Sequence, residues 1–215
     1  MDFDEFLSLS SKIKNIKLPG ESSHLKMAPP SRKALLNVPE ASIGQIKKAG
    51  VLALFYPDKA RQTKFMLILR KTYEGIHSAQ VGLPGGKLEI QDNSIQAAAL
   101  RETYEEIGVP THDIRILQEL TGLYIAPSNF YVHPFMAISI NTPFFMRQEE
   151  EVEALIEVDL QHFLDDNVVM NNRVKAFYNI DVEVPTFLLN GHIVWGATAM
   201  ILSEIKDLLK QLSYL

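Results

Sequence analysis

Hydrophobic residues along the chain follow two spacings, one typical of strands and one of helices. The runs at 51–57 (VLALFYP) and 64–70 (KFMLILR) are almost continuously apolar and are joined by a polar link, which predicts two paired strands. Apolar residues recur every three or four positions over 93–107 and again over 196–212, which predicts two helices. A shorter pattern of this kind predicts an amphipathic helix over 3–16.

Further apolar segments predict additional strands between the middle and final helices. They lie at 114–125, 130–140, 152–158, 167–178 and 184–194. Strands flanked by a middle helix and a final helix predict an α/β (α+β) fold with a mixed β-sheet between helical layers. We therefore expect residues 49–215 to form the main domain, with residues 1–48 packed on it as a helix and a basic, extended arm.

The N-terminal arm differs in charge from the rest of the chain. Residues 1–50 contain eight Lys/Arg and five Asp/Glu, whereas residues 51–215 contain 13 and 21. The Pro- and Ser-rich stretch at 18–32 predicts an extended connector. Its basic residues either lie near an anionic ligand or form a solvated surface, and the sequence leaves both interpretations open.

Composition narrows the class of protein. The 215 residues are 47% hydrophobic and 22% charged, which is ordinary for a globular chain of one large domain or one domain with an extension. A net charge of −5 makes nucleic acid a poor partner. The chain contains no cysteine, which excludes disulfides, zinc–thiolate sites and cysteine nucleophiles. The longest apolar run, 193–202, is well short of the roughly 18 residues that span a membrane, so we expect a cytoplasmic protein without a membrane partner.

Three acidic residues mark the predicted middle helix. Glu102, Glu105 and Glu106 are spaced so that they fall on one face of the helix, where like charges repel. Carboxylates are the hard ligands that Mg²⁺ or Mn²⁺ prefers. The acidic turn lies just before Gly108, at the helix end where the dipole disfavours anions. A bound cation therefore explains the three charges better than a solvated acidic surface does.

A glycine pair precedes this helix. Gly85 and Gly86 permit backbone conformations closed to other residues and let a ligand approach the main chain, although a tight turn is the simpler interpretation. We expect Asp92 or Asn93 to cap the N-terminus of the helix.

The segment at 85–109, GGKLEIQDNSIQAAALRETYEEIGV, resembles the Nudix box, G-x5-E-x7-R-E-U-x-E-E-x-G-U, in which U is apolar. Gly86 and Arg101 are fifteen positions apart, one more than in that pattern, which is most simply explained by an insertion of one residue. The insertion leaves open whether Glu89 or Asp92 braces the loop before the helix.

The resemblance implies the Nudix fold, a mixed β-sheet sandwiched between helices (α/β/α), and hydrolysis of a nucleoside diphosphate linked to another group. The residues that it implies as ligands of Mg²⁺ or Mn²⁺ are Glu102, Glu105, Glu106 and the carbonyl of Gly86. By the same resemblance, the three glutamates and Arg101 are catalytic, and Arg101 orients a glutamate through charge-assisted hydrogen bonds. A further carboxylate often acts as general base in such enzymes. Glu151 is our candidate, with a solvated loop as the alternative.

The upstream segment at 67–86, LILRKTYEGIHSAQVGLPGG, resembles the pattern L-L-x-x-R-S-x-x-x-R-x-H-x-G-Q-V-x-F-P-G-G of Nudix enzymes that cleave coenzyme A. The substrate-binding candidates are Arg70, Lys71, His77, Gly85, Gly86 and Lys87. The chain departs from the pattern at Lys71, Gly75, Ala79 and Leu83. Because Gly75 replaces an arginine and removes one expected phosphate contact, ADP-ribose, NADH or a nucleoside triphosphate stays open as an alternative substrate.

The resemblance therefore predicts a metal-dependent enzyme that converts coenzyme A or its acyl derivatives to 4′-phosphopantetheine and adenosine 3′,5′-bisphosphate. Since coenzyme A is strongly anionic, an acidic protein must bind it with metal ions and local cations. Tyr124 and Trp195 either stack on the adenine or belong to the core. A protein that senses a nucleotide without cleaving it is less favoured, because all three glutamates are kept. The resemblance also suggests a homodimer.

Overall fold

The computed structural model describes residues 1–30, 46–72, 79–175 and 181–213. The helices are α1 (Phe3–Ser10), α2 (Glu21–Lys26), α3 (Ile95–Ile107), α4 (Leu160–Leu164) and α5 (Gly196–Ser213). The strands are β1 (Lys47–Pro57), β2 (Thr63–Arg70), β3 (Val81–Gly82), β4 (Gly85–Lys87), β5 (Arg115–Glu119), β6 (Leu123–Ile125), β7 (Phe130–Ile138), β8 (Val152–Asp159), β9 (Val169–Lys175), β10 (Asp181–Leu189) and β11 (His192–Val194).

A mixed sheet forms the centre of the molecule. In the described part of the chain it has eight strands, with the order β3-β2-β1-β7-β5 and with β4, β6 and β8 paired to β1, β7 and β2. Strand β1 runs parallel to β7 and antiparallel to β2 and β4. Strands β9, β10 and β11 form a separate antiparallel sheet. The predicted pairing of the first two strands and the predicted mixed sheet are confirmed.

Strand β1 is buried on both faces, which explains its continuous apolar run. Leu52 and Leu54 pack in one hydrophobic cluster with Ala99 and Ile107 of α3. Phe55 points to the opposite face, into a second cluster that includes residues of α1, α4 and α5. The sheet therefore lies between helical layers, as predicted.

The N-terminal segment is more structured than an extended arm. Helix α1 ends at Ser10, earlier than predicted, and its Phe6 ring packs 5.0 Å from that of Phe55. The prediction of an extended stretch is wrong for Glu21–Lys26, which forms α2 against α5. The ESSHLK sequence has no apolar stripe to predict this helix. Ser23 and His24 are buried because they bond to acidic side chains of α5.

Helix α3 begins and ends at short-range signals. Ser94, rather than Asp92 or Asn93, caps its N-terminus, because the Ser94 side chain accepts a hydrogen bond from the backbone N–H of Ala97 at 3.0 Å. Gly108 ends the helix in the left-handed conformation, with φ of 77°. These two ends place the acidic turn of α3 beside strand β4.

Candidate active site

The acidic face of α3 runs from solvent into the protein interior. The side chain of Glu105 is 52% exposed, that of Glu102 15%, and that of Glu106 only 3%. The three carboxylates therefore experience different environments although they share one helix face. The innermost carries the largest cost of burying a charge.

Glu106 is held by one hydrogen bond and one ion pair and is opposed by two like charges. The backbone N–H of Gly85 donates to Oε2 at 2.7 Å, and the Arg70 guanidinium lies 3.4 Å from Oε1. Burial is the main reason that the pKa of Glu106 is raised to about 7. The charges of Glu102 and Glu151 act in the same direction, while Arg70 and the Gly85 N–H counteract them. Glu106 is thus a buried carboxylate whose charge is only partly compensated.

Arg101 organises the loop before α3 together with the exposed end of the acidic face. Its Nε and Nη2 donate to the Asp92 carboxylate at 3.0 Å each, and Nη2 also donates to the carbonyl of Lys87. Its Nη1 donates to Glu102 and to Glu105, both at 3.0 Å. The bond to Asp92 is the main cause that raises the pKa of Arg101, and it lowers the pKa of Asp92. Asp92 therefore braces this loop, the role that the one-residue insertion left open.

Gly86 brings the main chain against the carboxylate of Glu102. A Cβ at position 86 would lie 2.6 Å from Oε1 of Glu102, so the carboxylate would have to move away. Burial is the main cause that raises the pKa of Glu102, and the charges of Glu105 and Glu151 raise it further, whereas Arg101 lowers it. The glycine therefore allows backbone and carboxylate to share one side of the site.

Glu151 lies near the same cluster although it is distant in sequence. It immediately precedes β8 and is exposed. Its backbone carbonyl accepts a hydrogen bond from the N–H of Lys71 at 2.9 Å, and its N–H donates to Gln148 Oε1 at 2.7 Å. Its charge raises the pKa of both Glu102 and Glu106. The structure thus brings this candidate base to the acidic face of α3.

The donor set fits a hard divalent cation by its chemistry. Within the described ranges, no three acidic or histidine side chains already converge on one point at ligand distance. Arg101 and Arg70 form ion pairs with Glu102 and Glu106. Burial, with a smaller contribution from neighbouring like charges, raises the pKa of these two glutamates, and a bound cation would stabilise their ionised forms against both. Carboxylate oxygens beside the main chain of Gly86 are ligands suited to Mg²⁺ or Mn²⁺.

A cleft of about 780 Å³ opens beside this cluster. Its polar end is lined by Arg70, Gly85, Gly86 and Lys87. The apolar side chains that line much of the remainder include Leu123, Ile125, Phe130, Trp195 and Met200. The cleft can therefore receive an anionic group at one end and an apolar group along its length.

The other residues singled out from the sequence divide between the cleft and its surroundings. Trp195 lines the cleft, whereas Tyr124 is buried and its hydroxyl donates to Asn129 Oδ1 at 3.0 Å. Lys71 is not among the cleft-lining residues of the described chain. His77 lies outside the described residues.

Sequence reasoning missed Pro29 and Pro30, which line the cleft from the N-terminal segment. Their signal was a rigid Pro-Pro pair in the stretch whose basic residues were considered for an anionic ligand. The pair contributes apolar surface to the cleft, and that contribution could be known only once the segment was placed.

A family model described as the NUDIX domain matches residues 46–175. The chain belongs to the NUDIX family. A peroxisomal coenzyme A diphosphatase of Caenorhabditis elegans is 30% identical over 172 residues, covering 78% of this chain and 70% of that protein. An uncharacterized Nudix hydrolase, NudL, of Yersinia enterocolitica is 29% identical over 161 residues, covering 71% of this chain and 78% of that protein.

The fold agrees with a solved structure of this family. The crystal structure of a MutT/nudix family protein from Enterococcus faecalis superposes with a TM-score of 0.50 at 17% identity, covering 91% of this chain and 76% of that chain. The protein is a Nudix hydrolase, and enzymes of this family use divalent metals and act on nucleotide substrates. No helix among the described residues has the length and apolar character needed to cross a bilayer.

Proposed function

We propose that this Nudix hydrolase cleaves the pyrophosphate bond of coenzyme A or its acyl derivatives with Mg²⁺ or Mn²⁺, giving 4′-phosphopantetheine and adenosine 3′,5′-bisphosphate. The observation that carries the proposal is the cleft, whose polar end adjoins the acidic face of α3 and whose other walls are largely apolar. The charged pyrophosphate of coenzyme A can lie at the polar end, with the less polar pantetheine arm along the apolar walls. The similarity to the C. elegans coenzyme A diphosphatase also supports it.

The substrate is anionic and the chain has a net charge of −5, so binding depends on local cations. Arg70 and Lys87 line the polar end of the cleft. Arg70 also donates to the carbonyl of Gly85 at 3.0 Å, which fixes its guanidinium at the mouth of the acidic cluster. We assign phosphate contacts to these two side chains, with Lys71 and His77 as further candidates from the sequence.

The carboxylates have separate roles in the proposed reaction. Glu102, Glu105 and Glu106, with the carbonyl of Gly86, would hold the divalent ions. When bound, these ions would neutralise pyrophosphate charge and lower the pKa of the attacking water.

Two residues would prepare this set for the reaction. Arg101 keeps Glu102 and Glu105 oriented through its fork of hydrogen bonds. Glu151 would accept the proton of the water that attacks phosphorus, while the P–O bond to the leaving phosphate breaks.

A substrate panel tests the proposal. Purified protein is incubated with coenzyme A, an acyl-coenzyme A, ADP-ribose and NADH, each with Mg²⁺ or Mn²⁺, and the products are identified by mass. The expected products from coenzyme A are 4′-phosphopantetheine and adenosine 3′,5′-bisphosphate. Absence of coenzyme A turnover beside rapid ADP-ribose cleavage would reject the proposal.

One observation keeps a second substrate class in the panel. Gly75 stands where the coenzyme A-cleaving pattern has an arginine, so one phosphate contact of that pattern is missing. ADP-ribose and NADH carry a pyrophosphate without the 3′-phosphate of coenzyme A and need fewer cations. A higher kcat/KM for either of them than for coenzyme A would favour this alternative.

We also propose that the protein acts in the cytoplasm as a homodimer, with neither nucleic acid nor membrane as a partner. The absence of cysteine and the acidic net charge support the compartment and the lack of nucleic acid binding. Imaging of the tagged protein checks the compartment, and light scattering of the purified protein checks the homodimer.

A further inference from the structure

A second buried glutamate lies outside the reaction proposed above. Glu204 of α5 is fully buried, and its carboxylate meets polar groups of two other chain segments. The Nε2 of His24 lies 3.0 Å from its Oε2, and the N–H of Gly20 donates to its Oε1 at 3.1 Å. Thr121 donates to it twice, through its hydroxyl at 2.6 Å and through its N–H at 3.2 Å. Glu204 therefore joins the N-terminal segment and the β5–β6 connection to α5.

Each of these three segments continues into a wall of the cleft. The wall residues concerned are Pro29 and Pro30 from the N-terminal segment, Leu123 and Ile125 from β6, and Met200 and Ile201 from α5. Thr121 lies two positions before the first of the β6 wall residues, and Glu204 follows the α5 pair by about one helical turn. Glu204 and the residues that it bonds therefore each lie a few positions along the chain from the wall residues of their own segment.

We propose that Glu204 is a positioning residue that sets the three walls of the cleft relative to one another and holds the N-terminal segment as one side of the substrate site. The inference rests on the proposed function in that it takes the cleft to be the substrate site. Glu204 is not among the residues that line the cleft in the described chain, so it acts through the walls that it joins.

A second contact holds the same segment one turn further along α5. Asp207 accepts hydrogen bonds from the Ser23 hydroxyl and from Lys26 Nζ, the latter at 2.7 Å. The Asp207 side chain is 23% exposed, so its contacts contribute less than the fully buried ones of Glu204. The two acidic residues give the structure a strong and a weak attachment of the same wall.

The only tryptophan of the chain, Trp195, reports on the cleft without depending on catalysis. Trp195 lines the cleft, so its emission and its quenching by acrylamide respond to the opening of the walls. This readout separates the inference from the proposed reaction. If wild-type protein fails to cleave coenzyme A, the proposed function fails, whereas the effect of Glu204 on Trp195 still tests the positioning role.

The main experiment compares Glu204→Leu with Glu204→Gln. Leucine keeps most of the volume but leaves the donors of Gly20 and Thr121 without their acceptor, while glutamine keeps an acceptor oxygen. We expect Glu204→Leu to raise the KM for coenzyme A about tenfold, because fewer molecules have the walls in place, and to leave kcat within about twofold. Trp195 emission should shift to the red and acrylamide quenching should increase. Glu204→Gln should restore most of both.

Lys206→Met is the matched control on the same helix. Lys206 is also buried, but it donates to the carbonyl of Asp165 at 2.7 Å and lies over the ring of Phe163, and these partners do not line the cleft. This variant should lower the melting temperature and leave KM and Trp195 emission as in wild type. An equal rise in KM in Lys206→Met and Glu204→Leu would show that the cleft responds to any loss of stability, and would overturn the inference.

Two further outcomes decide the case. A folded Glu204→Leu protein with wild-type KM and wild-type Trp195 quenching would overturn the inference. Should this variant fail to fold, Asp207→Asn carries the test, because it weakens the attachment to Ser23 and Lys26 and keeps the buried contacts. We expect Asp207→Asn to raise KM about threefold with unchanged kcat, and an unchanged KM would count against the proposal.

Discussion

Helices α3 and α5 each bury a glutamate, and the two carboxylates have opposite surroundings. Glu106 of α3 accepts a hydrogen bond from the Gly85 N–H and forms an ion pair with Arg70, but burial, helped by nearby acidic charges, raises its pKa to about 7. Burial also acts to raise the pKa of Glu204 of α5. There the hydrogen bonds from His24 and Thr121 outweigh it, and the pKa is lowered.

The difference is what we expect between a carboxylate that is proposed to bind metal and one that stabilises the fold. A buried group whose neighbours satisfy it stabilises the fold and is expected to take no direct part in the chemical step. A buried group left with like charges costs free energy, and such sites are where functional groups are commonly found. The different surroundings support the proposed metal-binding role of the acidic face of α3 and a structural role for Glu204 of α5, although both glutamates are buried.

The largest expected effect on activity is that of replacing Glu106. Glu106→Gln keeps the volume and the acceptor for the Gly85 N–H but removes charge from the proposed metal site. We expect kcat to fall about 1000-fold, the scale of losing several kcal/mol of transition-state stabilisation. Since the ionised form is disfavoured in the folded protein, the metal-free variant should be at least as stable as wild type.

The measurements for Glu106→Gln are kcat at saturating Mn²⁺ and thermal unfolding without metal. Glu105→Gln is the companion variant, because it removes a charge from the exposed end of the same face, and its turnover should also collapse. Retention of most activity by either variant at saturating metal would mean that the acidic face of α3 does not hold the catalytic ions.

The next largest effect on activity is expected at Gly86 of β4, where an added Cβ would meet a side chain, whereas at Gly85 it would meet backbone. In Gly86→Ala the new Cβ would displace the Glu102 carboxylate, which is the movable end of a side chain. We expect a loss of kcat/KM of up to about 100-fold with little loss of stability, because a displacement of about 1 Å is enough for that. In Gly85→Ala the Cβ would lie 2.6 Å from Cα of Val51, at a φ of +140°, so the fold itself should be destabilised.

Kinetics and thermal unfolding of both glycine variants check this contrast. The result that counts against it is a Gly86→Ala protein that is fully active, since Glu102 would then not need to lie against the main chain. A destabilised but catalytically normal Gly86→Ala protein would have the same meaning.

A smaller effect is expected at Arg101, which orients carboxylates without being a ligand. Arg101→Lys keeps the charge but loses the fork that contacts Asp92, Glu102 and Glu105 together. We expect the Kd for Mn²⁺ to rise about tenfold, with most of kcat recovered at high metal concentration. Titration of activity with Mn²⁺ measures this, and Arg115→Lys, at an exposed position of β5, serves as the control. Unchanged metal dependence would assign Arg101 a role in the loop only.

These two sites also differ in how far the sequence could predict them. The acidic face of α3 is encoded locally, because Glu102, Glu105 and Glu106 lie within five residues and helix geometry alone puts them together. The strands at 51–57 and 64–70 were also predictable from local sequence, because burial on both faces of a strand requires a continuous apolar run. Local patterns are thus sufficient where neighbours in sequence are neighbours in space.

The contacts of Glu204 have no such signal. His24 is 180 residues away, and the polar ESSHLK sequence of α2 gives no reason to expect a buried helix. The predicted strand 114–125 is interrupted at 120–122 in the structure, where Thr121 turns to bond Glu204. Which polar residues become buried depends on tertiary partners, and a single sequence does not identify those partners.

The smallest expected effect is that of the Glu204 charge on the stability of the folded protein. The lowered pKa of Glu204 means that its charge stabilises the folded protein at pH values above the ordinary 4.5, and that this contribution is lost as pH falls through the lower folded value. Glu204→Gln lacks the charge, so at pH 7 its free energy of unfolding should be about 1 kcal/mol below that of wild type. Its stability should also decline less steeply below pH 4.5.

Urea unfolding of wild type and Glu204→Gln between pH 7 and pH 3 measures the difference. Glu153→Gln removes one charge at an exposed position and corrects for the change in net charge. If the gap between wild type and Glu204→Gln stayed constant as pH falls, the charge would contribute nothing and only the shape of the side chain would matter. The expected result is that the stability difference between wild type and Glu204→Gln becomes smaller on acidification, while metal-free Glu106→Gln is no less stable than wild type. Together these results would show that the partners of the two buried glutamates, rather than burial itself, determine whether the charge stabilises the fold.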